Sequence, residues 1–255
     1  MLDVPKQKVE RVSQNNAGII QKDGNFFATL DGIQIIPIEK ELAQNIAIAL
    51  RVQDKVDEAL ITGNRIGFLK TIQMLNCRKT ISAVRGTRPI QSLTNRKELE
   101  RTRKLPVQEW WVKMQEITGA KETLEDVDRI LKSGKAPVIG SNESLQVKES
   151  LDRNPADLPA VVHVFDVPPD NLDGVVSQLA QGPGSFSTED FEGKLGFNHT
   201  FLVLGKDSDG KYACFQKRGP EIREPFEILE LDAAVTAAVI PAESGTHLSV
   251  IGRLL

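Results

Sequence analysis

The period of apolar and polar positions changes along this chain. "NAGIIQKDGNFFATLDGIQIIPI" (16–38) sets short apolar runs around an Asp-Gly at 23–24 and a second at 31–32. Asp-Gly between such runs signals a hairpin, because both residues tolerate the positive φ of a tight turn. Two or three short strands are expected there. "EKELAQNIAIALRVQDKVDEALITG" (39–63) instead repeats apolar residues at helical spacing and closes on glycine, a normal helix stop. "NRIGFLKTIQMLNCRKTISAVRG" (64–86) does the same, and Gly67 and Asn76 permit a break into two shorter helices.

"TRPIQSLTNRKELERTRKLP" (87–106) is polar and basic, which fits a solvated linker or an exposed helix. "VQEWWVKMQEITG" and "KETLEDVDRILKSG" read as two helices, each closed by glycine. Trp110 and Trp111 serve there as packing anchors or line a cleft. Residues 135–158 are polar and show no clear period. From Pro159 the texture is strand-like. "PAVVHVFDV" is one strand. "PPDNLDGVVSQLAQG" is a helix entered through prolines, with Asp170 as its expected cap. "GPGSFSTEDFEGKLG" is a loop. "NHTFLVLGKDSDGKYACFQKRG" is a hairpin, and "PFEILEL" and "THLSVIGRLL" are further strands. Helices first and strands last define an α+β class, with helices packed on one face of an antiparallel sheet.

Composition narrows the chemistry. The chain has 255 residues and is 40% hydrophobic, enough for a substantial core. Net charge is −3 with both signs interspersed, so neither a nucleic acid nor a membrane surface is an expected partner. The charged start "MLDVPKQKVERVSQNN" lacks a signal-peptide apolar core, and no apolar run approaches a membrane span. The cytoplasm is the default location, with non-classical secretion left open. Two cysteines cannot build a disulfide framework or a four-thiolate zinc site, and three histidines make metal ligation a weak proposition. No cofactor and no metal are expected, and the oligomeric state is unknown. "QGPGSFS" (181–187) matches neither a phosphate loop nor a dinucleotide fingerprint; it is a connector or a lid.

Cys77 stands inside the helical stretch, in "MLNCRKTISAVRG". A thiol acts as a nucleophile through its thiolate, which a helix N-terminus and a nearby histidine both favour. A third polar group then fixes the imidazole. In the hairpin, His199 shares a strand face with Phe201 and Val203, and Gln216 shares one with Tyr212 and Cys214. A tight turn over "KDSDG" brings Gln216 near the level of His199, with one imidazole nitrogen left for Cys77. Each residue also has a plainer role: Cys77 as a buried helical cysteine, His199 as a strand-start residue, Gln216 as an ordinary strand residue. Cys214 reads as structural or, as a thiol near His199, as the real nucleophile; His163 reads as a structural or edge-strand residue. Asp166 orients a histidine or simply fits a strand end, and His247 follows a turn.

"LNCRKTISAVRG", followed much later by "NHTFLVLGKDSDGKYACFQKRGPEIREPFEI", resembles the papain-like cysteine peptidase and amidase superfamily, in its NlpC-type branch. The resemblance implies Cys77 as nucleophile, His199 as base and Gln216 as the orienting residue, with the Cys77 N–H as an oxyanion donor. Asn76 and Asn198, which precede the thiol and the imidazole, stand as substrate-binding candidates. The implied fold is papain-like, with N-terminal helices against a C-terminal antiparallel sheet. Residues 1–63 would be a hairpin-and-helix extension, and 64–255 the main domain with a helical insertion over about 87–158. The implied activity is a hydrolase or acyltransferase acting on a peptide, amide or acyl substrate through a thiol acyl-enzyme. The alternative is an inactive relative that keeps the fold as a protein-binding module. The match departs from the branch in "NCRK", where Arg78 replaces the usual small residue, and in the long spacing from Cys77 to His199.

Overall fold

Asp23 and Gly24 adopt positive φ, 50° and 81°, and so close the first hairpin tightly. The hairpin joins β1 (Gly18–Lys22) to β2 (Asn25–Thr29), and β3 (Ile35–Ile38) adds antiparallel to β2. The structure is a computed structural model. It describes residues 17–30, 32, 35–62, 77–85, 105, 106, 109, 136–138, 144–153, 155, 158–181, 196–218, 225–238 and 247–252. Of the helices expected over 64–86, 107–119 and 121–134, only 77–85 and Glu109 fall among those residues; the tryptophans at 110 and 111 and the loop at 182–195 lie outside them.

After β3 the chain enters α1 (Lys40–Thr62) and then α2 (Cys77–Val84). The helix at 144–153 was not legible in the sequence. It is α3 (Ser144–Arg153), preceded by β4 (Ala136–Val138). β5 (Ala160–Asp166) leads through a single 3-10 turn (Pro169–Asn171) into α4 (Leu172–Ala180). Asp170 is not a cap: it lies inside the 3-10 turn, whose N-cap is Pro168 without a side-chain bond. β6 (Gly196–Lys206) and β7 (Tyr212–Lys217) form the hairpin read from the sequence. Its turn is tied by Asp207, whose Oδ1 accepts from the N–H groups of Asp209 (2.9 Å) and Lys211 (2.8 Å). β8 (Phe226–Glu230) runs directly into α5 (Leu231–Ala238), and β9 (His247–Gly252) completes the described elements.

The larger sheet has the order β4-β9-β5-β6-β7-β8, every pair antiparallel. With its helices this makes an α+β protein. The helices cover both faces rather than one. On the first face Ile46, Ala49 and Leu50 of α1 and Ile81 and Val84 of α2 share a core with Val161, Leu202, Leu204, Ala213 and Phe215. β1–β3 belong to the same core through Ile19, Ala28 and Ile36. On the second face Val147 and Leu151 of α3 and Leu231, Ala234 and Val235 of α5 pack on Val162, Val164, Phe201, Val203, Tyr212 and Cys214. The reason is the composition of β6 and β7. Both strands are buried on alternate residues in both directions, so each face needs its own cover.

Two bulges break the β6 register. One sets His199 opposite Val164 and Phe197 opposite Phe165, which leaves Asn198 as the extra residue. The other sets Val203 opposite Cys214 and Gly205 opposite Ala213, with Leu204 extra. Gly205 lies under β3, where a Cβ would meet Ile36 Cγ2 at 2.5 Å.

Candidate functional site: two imidazoles on opposite faces of one sheet

Strand parity decides what can meet what. His199 lies opposite Val164 and two residues before Phe201, both in the second core. Gln216 follows Tyr212 and Cys214 on that same face. His199 Nε2 and Gln216 Oε1 are 2.8 Å apart. The Gln216 amide donates in turn to Glu227 Oε1 at 2.8 Å, which fixes the amide orientation. Nε2 therefore carries the imidazole proton and donates to Gln216, while Nδ1 keeps its lone pair. Arg218 closes the chain by donating to Glu227 Oε1 at 3.1 Å from its half-exposed position.

His199 is 2% exposed, and its ring lies 6.3 Å from that of Phe201. Burial pushes its pKa down to about 4. The Gln216 bond opposes that shift, and the charges of Lys217 and Arg218 add to it. At neutral pH the ring is uncharged and acts only as a hydrogen-bonding group.

Cys77 is the first residue of α2, and its side chain is 6% exposed. Ile81 and Val84, on the same helical stripe, belong to the first core, and α2 packs on β6 and β7. The structure thus brings His199 and Gln216 together on the second face and seats the Cys77 helix on the first. Asn76 lies outside the described residues. Asn198 sits in the bulge beside His199, and its side chain lies outside the description, as do those of Asp166 and His247. Cys214 is fully buried on the second face, and burial holds its thiol well above the usual cysteine range.

The first face has its own polar row, which the sequence reading passed over. His163 alternates with Val162 and Val164 and so faces the Val161 side. Its Nδ1 is 2.8 Å from Thr200 Oγ1, its direct partner across the ladder. The register that pairs Leu202 with Phe215 sets Lys217 opposite Thr200. His163 (1% exposed), Thr200 (0%) and Lys217 (0%) therefore lie side by side across three strands on the α2 face. The Lys217 ammonium stands 5.7 Å from the Phe226 ring centroid. Thr80, one turn after Cys77, is also fully buried, and its Oγ1 has no hydrogen-bond partner. The one sequence signal for this row was a histidine in the middle of an apolar strand.

Away from both rows, a cavity of about 420 Å³ opens between β1, β2 and α1, lined by Ile19, Phe26, Ala47 and Arg51 among others. None of the residues named from the sequence lines it. Among the described residues no group of three or more His, Cys, Asp or Glu is placed to hold a metal ion. No helix among them is long and apolar enough to cross a membrane.

No known family model, no curated protein and no solved structure matches this chain. The class the structure defines is an α+β protein with helices on both faces of an antiparallel sheet. The chemistry has to be argued from its side chains.

Proposed function

We propose that this chain is a cysteine hydrolase or acyltransferase that works through a thiol acyl-enzyme on a papain-like α+β scaffold. The observation that carries this reading is the position of Cys77 at the first residue of a helix seated on an antiparallel sheet. The first N–H groups of a helix have no intrahelical acceptor, and their partial positive charge favours a thiolate and a developing oxyanion. The thiol attacks an amide, ester or thioester carbonyl, the leaving group takes a proton, and water or another acceptor releases the acyl group. Peptide, side-chain amide and acyl substrates all fit that chemistry.

The test is a trapping experiment. Intact-mass spectrometry after incubation with nitrophenyl esters and thioesters of short acyl chains should find one acyl adduct, mapping to Cys77 and lost in Cys77→Ala. Absence of any Cys77 adduct across the panel removes the reading. A second reading is a non-catalytic protein-binding module on the same scaffold. It is favoured by the separation of the Cys77 helix and the His199–Gln216 pair onto opposite faces. It predicts no adduct from any acyl donor.

A further inference from the structure

We propose that the outer edge of β1 and the cavity beside it form a docking groove for an extended peptide with an aliphatic and an acidic residue two positions apart. This inference goes beyond the thiol-enzyme reading and stands whether or not Cys77 is a nucleophile.

The first observation is a strand with an unused side. β1 is an outer strand of its sheet, with β2 as its partner. The turn over Asp23 and Gly24 has two residues, so Lys22 and Asn25, which flank it, exchange hydrogen bonds. The pattern then alternates. Gly18 and Ile20 also bond to β2, while Ile19 and Gln21 turn their N–H and C=O groups outward. Among the described residues no hydrogen bond reaches these outward groups. Gln21 is exposed. Such an edge is a template for one more strand.

The second observation is the space beside that edge. Ile19 and Gln21 share a face with Phe26, the partner of Gln21. On α1, Ala43, Ala47 and Arg51 lie four residues apart, with Gln44 and Ile48 beside them. The alanine methyls leave the gap between helix and sheet unfilled, and that gap is the cavity of about 420 Å³. Ile20 also lines it, although its side chain belongs to the opposite face, so the cavity reaches around the edge of β1. A strand paired with Gln21 turns every second side chain toward α1 and into that space.

The third observation is charge. Arg51 is the one charged side chain among the described lining residues; the rest are apolar or glutamine. It is exposed. It also has a contact elsewhere in the protein, and the five donors of a guanidinium leave room for a carboxylate beside that contact. The aliphatic residue of the peptide fills the space between Ile19, Phe26 and Ala47. The acidic residue, two positions away on the same face, meets Arg51. Main-chain bonds to the edge supply affinity for any extended segment, and the two side chains supply selection.

The experiment is an NMR titration of the ¹⁵N-labelled full chain. The probes are N-acetylated, C-amidated heptapeptides of Thr and Ser with one Leu and one Glu two residues apart, in both orders. One order should shift the amide resonances of residues 18–22 and 43–51, with a Kd below about 1 mM. Changing the peptide Glu to Gln should weaken binding about two- to fivefold, and Arg51→Gln should remove that difference. Gln21→Pro is the decisive variant. β2 does not use the Gln21 N–H, so the hairpin keeps its ladder while peptide affinity falls at least about tenfold. Ala47→Leu fills the cavity and should cause a similar loss. Circular dichroism confirms the fold of each variant. If Gln21→Pro does not fold, Ala47→Leu carries the same expectation, and unchanged affinity overturns it. No shift with either peptide order overturns the proposal, as does full affinity in Gln21→Pro. Octanoate that gives the same shifts where no peptide does would make the occupant a small carboxylate and overturn it. A wild-type dimer in sedimentation equilibrium that Gln21→Pro dissociates would assign the edge to a second copy and also overturn it. None of these readouts involves Cys77, so the thiol-enzyme reading stands or falls separately, on its acyl adduct.

Discussion

His199 and His163 are one residue of strand parity apart in the ladder, and they sit in opposite worlds. On the second face, His199, Gln216, Glu227 and Arg218 form a chain of hydrogen bonds whose last member reaches solvent. A chain of that kind rigidifies a core. On the first face, the His163–Thr200 pair lies in the layer of a helix start, a cysteine and an orphaned threonine hydroxyl. The comparison teaches that a hydrogen-bonded histidine is not by itself a catalytic one. What separates them is the face of the sheet each one takes and the helices packed there.

The largest expected effects test whether the two faces fold as one unit. Phe215 fills the first core and Phe201 the second, both 0% exposed. Phe215→Ala and Phe201→Ala should each cost about 3–5 kcal/mol in urea unfolding, as lost transfer energy plus a cavity. Both variants should keep a single transition, because β6 and β7 contribute side chains to both cores. A biphasic curve in either would separate the faces.

The next effect belongs to His199 and has a sign. Its folded pKa of about 4 lies below the ordinary 6.5, so between those values the unfolded chain binds more protons. The contribution is fully present above about pH 6.5 and is lost as pH falls toward 4. The loss amounts to at most about 3 kcal/mol. Urea midpoints across that window should fall in wild type and stay flatter in His199→Gln, which cannot titrate. An identical slope in the two proteins would assign that limb to groups other than His199. The Asp152 carboxyl, which the Lys206 ammonium and the Tyr212 hydroxyl hold below its usual range, gives up its own contribution only at lower pH.

A smaller effect comes from the join between the two sheets. The bulge at Leu204 leaves Gly205 against Ile36, with no room for a methyl group. Gly205→Ala should destabilise by about 1–3 kcal/mol, the usual cost of overpacking. Ile36→Val in the same protein should recover little, since Cγ2, the atom that meets the new methyl, survives that change. Ile36→Ala should recover more of the loss than it would by itself predict.

How much of this was legible in the sequence follows from which residues touch water. The β6–β7 hairpin was plain, because Asp207 through Gly210 can only turn and the flanking runs are apolar. α1 was plain from its spacing. α5 was missed: "LDAAVTAA" carries apolar residues at 231, 234, 235 and 238, a helical period, but it follows a strand without a turn residue between them. The face of β6 was not legible at all. "HTFLVL" is buried at every position, so no polar residue marks which side looks at α2. A strand that alternates with solvent declares its register; one covered on both sides does not. That is why His199 and Gln216 could be placed relative to each other, through their shared hairpin, while Cys77 could not be placed relative to either.

The smallest effect probes the completeness of the second face directly. Arg218 is 46% exposed and pairs with Glu227 at the outer end of the His199 chain. A pair so exposed is worth at most about 1 kcal/mol, and Arg218→Gln should move the urea midpoint little. Its positive charge does depress the His199 pKa, after burial and Lys217. Removing it should therefore raise that pKa, read from the imidazole ring proton shifts by NMR titration, while Cys77 labelling is untouched. If Cys77 reactivity moved together with the His199 titration, the thiol and His199 would be electrostatically coupled through the sheet. The two faces would then have to be treated as one site. If only the titration moves, the His199 chain on the second face is structural and does not act on the thiol.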